Sequence, residues 1–173
     1  MAPRIETARL VLRLSVPADL AAHAAMLGDP DVMRHLGDPQ PREDAWRRLL
    51  QAAGLWTMLG YGYWSVERRE DGAYLGQIGF ADFKRDVEPS LDGLPEMGWL
   101  FVPQGQGQGY AFEAGAAALA WADETLRAAE TVAIISPDNQ RSIHLAEKLG
   151  FVVAEKSTYK DDPILIVRRR LGG

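Results

Sequence analysis

Apolar and polar residues alternate through Arg9-Leu-Val-Leu-Arg-Leu14, and this period of two predicts an opening strand. Pro17 then stands where a helix would start, and Ala18 to Leu27 carry a short apolar face closed by Gly28. Asp29 to Gly37 reads as a loop with at most one further turn. A second helix is expected from about Pro41 to Met58, with Trp46, Leu49, Leu50 and Leu55 as core positions and Gly60 beyond its end. Gly62 to Arg68 and Tyr74 to Phe83 read as strands around Glu70-Asp-Gly72, a hairpin turn in which Asp-Gly tolerates positive φ.

Arg85 to Leu94 is a polar loop. Pro95 to Val102 follows as a strand rich in Trp and Phe, and Gln104 to Gly109 as a glycine-rich loop. Tyr110 to Arg127 is an alanine-rich helix, and Thr131 to Ile135 a short β-branched strand. Ser136-Pro-Asp138 breaks the chain before a helix from Asn139 to Leu149, which Gly150 caps. Phe151 to Glu155 and Ile164 to Arg170 complete the strands. The mixture places the chain in the α/β (α+β) class, and with no internal repeat or linker, residues 1–173 are expected to form one domain.

Composition narrows the chemistry. Of 173 residues, 47% are apolar and 25% charged, ordinary values for a chain that buries its own core without a staple. There is no cysteine, which excludes a disulfide framework, a thiolate zinc site and a cysteine nucleophile. His23, His35 and His144 are scattered, so no metal is expected. The formal charge of -5 argues against nonspecific nucleic-acid binding, and Arg168-Arg169-Arg170 reads as a solvated strand end. No stretch approaches the length of a membrane span and no leader is visible, so a cytoplasmic protein is expected, monomer or homodimer.

The loop Gln104-Gly105-Gln106-Gly107-Gln108-Gly109 follows an apolar strand and opens a helix. A P-loop would end in Gly-Lys-Ser/Thr, whereas Tyr110 and Ala111 follow here. A dinucleotide fingerprint started at Gly105 or Gly107 would need a small residue at Tyr110 or Phe112, and it sits late in the chain for that motif. What the loop offers is an anion cradle. Glycines let backbone N–H groups approach phosphate, and the helix start adds about half a positive charge.

Gln104-x-x-Gly107-x-Gly109, followed by Tyr110-Ala-Phe-Glu-Ala114, resembles the pyrophosphate signature of the GNAT acetyltransferases. Asn139-Gln-Arg-Ser142 through Leu149-Gly-Phe151 is similar to the second block of that family, at the family's order and spacing. Thr7-Ala-Arg-Leu-Val-Leu-Arg13 and Glu96-Met-Gly-Trp-Leu100 resemble strands of its Rim-type branch, whose members acetylate ribosomal-protein N-termini. The resemblance implies a mixed, mostly antiparallel sheet, splayed between its two middle strands and flanked by about four helices. It also implies acetyl-CoA as co-substrate, with Gln104 to Ala111 at its pyrophosphate and the backbone of Trp99, Leu100, Phe101 and Val102 along its pantetheine arm. Asn139 and Ser142 would lie near the thioester. Two features depart from the family: Gln104 and Gln106 stand where many relatives have arginine or tryptophan, and Ala146 stands where many carry the tyrosine that protonates the leaving thiolate.

No acyl-enzyme nucleophile is evident, so direct attack of a neutral amine is the simplest scheme, and a base must remove its proton. Glu96 is the first candidate base, with a salt-bridged strand end as its purely structural role, and Asp82 is the second. Ser142, water and Tyr159 are candidate proton donors to the thiolate. Tyr63, Trp64, His35 and Trp56 are candidates to line the acceptor pocket. The acceptor itself stays open among a protein N-terminus, a polyamine, an aminoglycoside and another small amine. An acyl-CoA-binding module without turnover is the alternative function, since a fold does not determine an activity.

Overall fold

The computed structural model describes residues 2–171. In chain order the elements are β1 (Ile5–Glu6), β2 (Leu10–Arg13), α1 (Leu20–Leu27), α2 (Pro30–Met33), α3 (Arg42–Leu59), β3 (Tyr63–Arg68) and β4 (Tyr74–Ala81). They continue with β5 (Glu96–Phe101), α4 (Tyr110–Thr125), β6 (Glu130–Ile135), α5 (Gln140–Lys148), β7 (Val152–Tyr159) and β8 (Asp162–Arg170). The strands form an eight-stranded sheet in the order β1-β2-β3-β4-β5-β6-β8-β7. Every adjacent pair is antiparallel except β5 with β6. Those two parallel strands share one register pair, Glu96 opposite Val132, at their N-terminal ends. The Val132 amide (3.2 Å) and the Thr131 hydroxyl (2.6 Å) both donate to the Pro95 carbonyl there. Beyond that point no further register pair joins them among the described residues, and the strands diverge as the resemblance implied.

Strand alternation sorts the packing around β5. Met97 and Phe101 belong to the main core with Phe80 and with Ala114, Ala118 and Ala122 of α4. Leu100 turns to the other face and meets Leu27, Met33 and Ala45 of α1, α2 and α3. Alanines on the buried face of α4 let the helix axis sit close to the sheet.

Four expectations are corrected. The buried stripe of α3 is Ala45, Leu49, Ala52 and Trp56, whereas Leu50 is 52% exposed and Trp46 and Leu55 are half-buried. Leu49 and Leu50 lie about 100° apart on a helix, so one must turn out. Trp56 decides which, because it packs against Trp64 and Trp121 at centroid distances of 4.7 and 5.5 Å. Second, this aromatic cluster takes Trp56 (4% exposed) and Trp64 (0%) into the core and away from any pocket. Third, β7 and β8 are longer than expected and meet in a tight turn at Lys160 and Asp161, both at positive φ (51° and 68°). Paired positive φ suits a two-residue hairpin, and Asp161 is a common turn residue, but Lys160 has no preference for positive φ and the pair lacks the usual glycine. Fourth, β1 adds a short edge strand that the sequence did not suggest.

A buried polar network ties β2, β3 and the start of α1 together. Asp19 is 5% exposed, and its carboxylate accepts both Arg13 terminal nitrogens (2.8 and 2.9 Å), the Val16 amide and the Ser65 hydroxyl (both 3.0 Å). Ser15 links Ser65 (2.9 Å) to Gln77 (3.2 Å) on β4. Among the described residues, no helix is long and apolar enough to cross a membrane.

Candidate active site

Divergence of β5 from β6 opens a cleft of about 940 Å³. Glu96 to Leu100 of β5 form one wall, Ile134 to Ser136 with Asn139 and Ser142 the opposite wall, and side chains of α1 and α3 close one end. Past Glu96, no register pair occupies the β6-facing edge of β5 among the described residues. A linear amide chain can bond to such an edge as an added strand.

Beyond this edge the chain turns into the glycine-rich loop. Gly107 and Gly109 have φ of 74° and 78°, a conformation that side chains with a Cβ resist. Gly109 is the N-cap of α4, and the first full-turn bond runs from the Glu113 amide to its carbonyl (3.0 Å). The amides of Tyr110, Ala111 and Phe112 therefore precede the helix's own bonding and can serve an anion. Arg9 braces the loop from behind: it donates to the Gln108 carbonyl (2.9 Å), pairs with Glu113 (2.6 Å) and lies 4.5 Å over the Tyr110 ring.

Other predicted cofactor residues are already engaged within the protein. The Val102 amide bonds the Leu75 carbonyl, and its own carbonyl takes the Gly105 amide (both 2.9 Å). Gly105 is buried against Leu75. Gln106 folds back to the Phe101 carbonyl (3.1 Å), and the Gln108 side chain reaches the Gln104 carbonyl (2.7 Å). Arg141 of α5 donates to the Gln106 side chain (2.9 Å), which brings a cation to a loop that has none of its own. Its place one residue before Ser142 was the only available signal.

Across the cleft, Asn139 caps α5 by accepting the Ser142 amide on Oδ1 (3.1 Å), and the Ser142 hydroxyl oxygen accepts the Trp99 indole N–H (3.2 Å). That bond spans the gap between β5 and α5 and leaves the hydroxyl proton free to donate. Ala146 is 1% exposed and packs into the core.

Glu96 is 5% exposed and forms a two-bond ion pair with Arg85 (2.7 and 2.8 Å). Arg85 also lies 4.5 Å over the Phe83 ring and 4.8 Å over the Tyr159 ring. Burial disfavours its charge, but the Glu96 carboxylate outweighs that and leaves the guanidinium above its usual range. Each Glu96 oxygen keeps a further lone pair. Tyr63 lies over the same strand: a Cβ on Gly98 would fall 2.1 Å from its hydroxyl oxygen. Burial, then the nearby Glu96 charge, pushes the Tyr63 phenol above its ordinary range, so it stays protonated. Asp82 is not a cleft residue; it is bound by Lys84 (2.6 Å) and the Gly93 amide (2.9 Å). Tyr63, His35 and Tyr159 do line the cleft, together with His23, Arg48 and Arg85, which the sequence reading did not place there.

The Acetyltransferase (GNAT) domain matches residues 9–152. An acetyltransferase structure from Agrobacterium tumefaciens is 30% identical with a TM-score of 0.84, covering 98% of this chain and 95% of that one. A GnaT-family acetyltransferase structure from Bordetella pertussis is 29% identical with a TM-score of 0.85, covering 97% and 99%. The spermidine N-acetyltransferase of Vibrio cholerae, solved with CoA and spermine, shares the fold at 16% identity and a TM-score of 0.74, covering 95% and 97%. With the splayed sheet, the cradle at the start of α4 and a family match over most of its length, this chain belongs to the GNAT acetyltransferases.

Proposed function

We propose that the chain is an N-acetyltransferase that moves the acetyl group of acetyl-CoA to a primary amine by direct attack. The observation that carries this reading is the succession of two features in the chain: the free edge of β5, which lines the cleft, and the helix-start cradle of Gly107 to Ala111 that follows it. The cradle amides and Arg141 hold the pyrophosphate, and the backbone of Trp99 to Phe101 holds the pantetheine arm. The Rim-type branch is the subgroup we favour, on the Thr7–Arg13 and Glu96–Leu100 strands.

In this scheme the amine nitrogen attacks the thioester carbonyl, the C–S bond breaks and CoA leaves as the thiolate. Glu96 takes the amine's proton, directly or through one water, on a lone pair that Arg85 does not use. The Ser142 hydroxyl, oriented by Trp99, donates to the thiolate.

Acetyl-CoA is expected to raise the melting temperature, and NAD and ATP are not. Gly107→Val forces a Cβ into positive φ where phosphate would sit, and should weaken CoA binding at least tenfold. Normal CoA affinity in a folded Gly107→Val protein would reduce the loop to a turn. Acetyl-CoA binding with no thiol release for any amine would favour the module without turnover.

Ser142→Ala should lower turnover roughly ten- to a hundredfold, as for one lost hydrogen bond to a charged group. The penalty should shrink with an acyl donor whose leaving thiol is more acidic. Equal rates for Ser142→Ala and the parent with both donors would transfer the role to water or Tyr159.

A further inference from the structure

The end of the cleft closed by α1 and α3 carries two polar groups that the transfer scheme does not use. Arg48, on α3, lines the cleft and makes no ion pair or hydrogen bond among the described residues. The carboxylate one turn before it, Asp44, is bonded to Arg47. Arg48 is exposed to the open cleft, so water solvates its cation; partial desolvation and then the Arg85 charge lower its pKa against Tyr63 and Asp44. The second group is His23 of α1, 1% exposed and also lining the cleft. Its Nδ1 is bonded to the Tyr74 hydroxyl (3.0 Å), whereas its Nε2 is buried with no partner among the described residues. Burial, helped by the Arg48 charge, lowers the His23 pKa to about 4, so the ring is neutral at pH 7. Buried polar nitrogens are seldom left unpaired.

The remaining charges at this end match the same picture. Arg34 is paired with Asp31, and Glu96 is neutralised by Arg85. Asp138, just before α5, and Lys160 and Asp162, at the turn into β8, line the cleft from elements other than α1 and α3. Polyamines and aminoglycosides carry several positive charges and need acidic walls, whereas here the surplus is one unpaired cation beside a bond-seeking ring nitrogen.

We infer that the acceptor is an amine that also carries an anionic group, a carboxylate or phosphate, bound by Arg48 with His23 Nε2 at the floor, so that its amino group points toward Glu96. This inference rests on the acetyl-transfer reading and names its substrate class. Tyr63 lines the same cleft, close enough to Glu96, Arg85 and Arg48 for all three charges to act on its phenol. Its protonated hydroxyl can therefore bond an acceptor stretched between them.

The test is CoA thiol release with acetyl-CoA and three groups of acceptors at equal concentration. L-glutamate and O-phosphoethanolamine represent small anionic amines, a peptide with an acidic N-terminal segment a larger one, and spermidine and an aminoglycoside the cationic class. Turnover is expected to favour an anionic amine over spermidine by at least tenfold in kcat/KM, and the small and peptide arms identify which source supplies it. Arg48→Glu should lower kcat/KM for that amine roughly ten- to a hundredfold, the range for losing a charged hydrogen bond, mainly through KM. Arg48→Gln should fall between, with acetyl-CoA affinity and melting temperature near the parent's in both variants. Preference for spermidine or the aminoglycoside, or an unchanged KM for the anionic amine in Arg48→Glu, overturns the inference alone. Silence with every amine despite acetyl-CoA binding overturns the acetyl-transfer reading and this inference with it.

Discussion

Glu96→Gln is expected to lower turnover by roughly a hundredfold, the low end for loss of a general base, with CoA affinity nearly unchanged. The carboxamide has the same shape and still offers Arg85 one acceptor oxygen, but it cannot take a proton. Arg85 keeps its contacts with the Phe83 and Tyr159 rings, so the strand end should hold its place. Some stability will be lost, because a half-buried guanidinium gives up half of a two-bond ion pair with a buried partner. The kinetic split separates the two roles. A base shows in kcat and in the pH profile, while a purely structural pair shows in the melting temperature with the profile unchanged. Normal turnover in the variant would leave Glu96 as the anchor of Arg85 and move proton removal to water in the cleft, since Asp82 lies outside it.

Asp19→Asn should destabilise the fold by about 3 kcal/mol, the low end for stripping one partner from a buried ion pair. The low end applies because Arg13 keeps a second carboxylate, Glu67 at 2.8 Å. For a chain of this size the melting temperature should fall by roughly 6–12 °C. The direction with pH follows from the charges. Burial alone would raise the Asp19 pKa, but the Arg13 bonds, with the Val16 amide and Ser65 hydroxyl, lower it below the ordinary aspartate value. A depressed carboxylate contributes its full stabilisation above the unfolded pKa of about 4 and loses it as pH falls through the folded value. The parent should therefore lose stability on acidification below about pH 4 more steeply than Asp19→Asn. Parallel acid limbs, or a melting temperature within about 2 °C of the parent's, would show that Asp19 and Arg13 are no more than a surface-grade pair. Because Ser65, Ser15 and Gln77 carry the network to the cleft wall, the variant should also raise the acceptor KM.

What the sequence determined by itself was everything written in local chemistry. Asn139 and Gly150 bracket α5, alternation marks β2, and Gly107 and Gly109 require backbone that few other residues adopt, so helix ends, strands and the anion cradle were readable from neighbours in the chain. The resemblance of the two motif blocks to the GNAT family then implied the splayed sheet. Tertiary structure decided what depends on competition between distant groups. Trp56 could have lined a pocket, but Trp64 and Trp121 bury it, and that choice turns Leu50 to solvent. The turn at Lys160 and Asp161 is held by the pairing of β7 with β8 against weak local preference, and it carries Tyr159 to the cleft. Arg85, Arg141, Arg48 and His23 sit in segments with no motif. Their roles come from what the fold sets beside them: a carboxylate for Arg85, a loop glutamine for Arg141, Tyr74 on one ring nitrogen of His23 with the other left over, and for Arg48 an open cleft with no ion pair among the described residues. Single side chains far apart in sequence acquire such roles only when packing removes water and leaves each charge to find its neighbour.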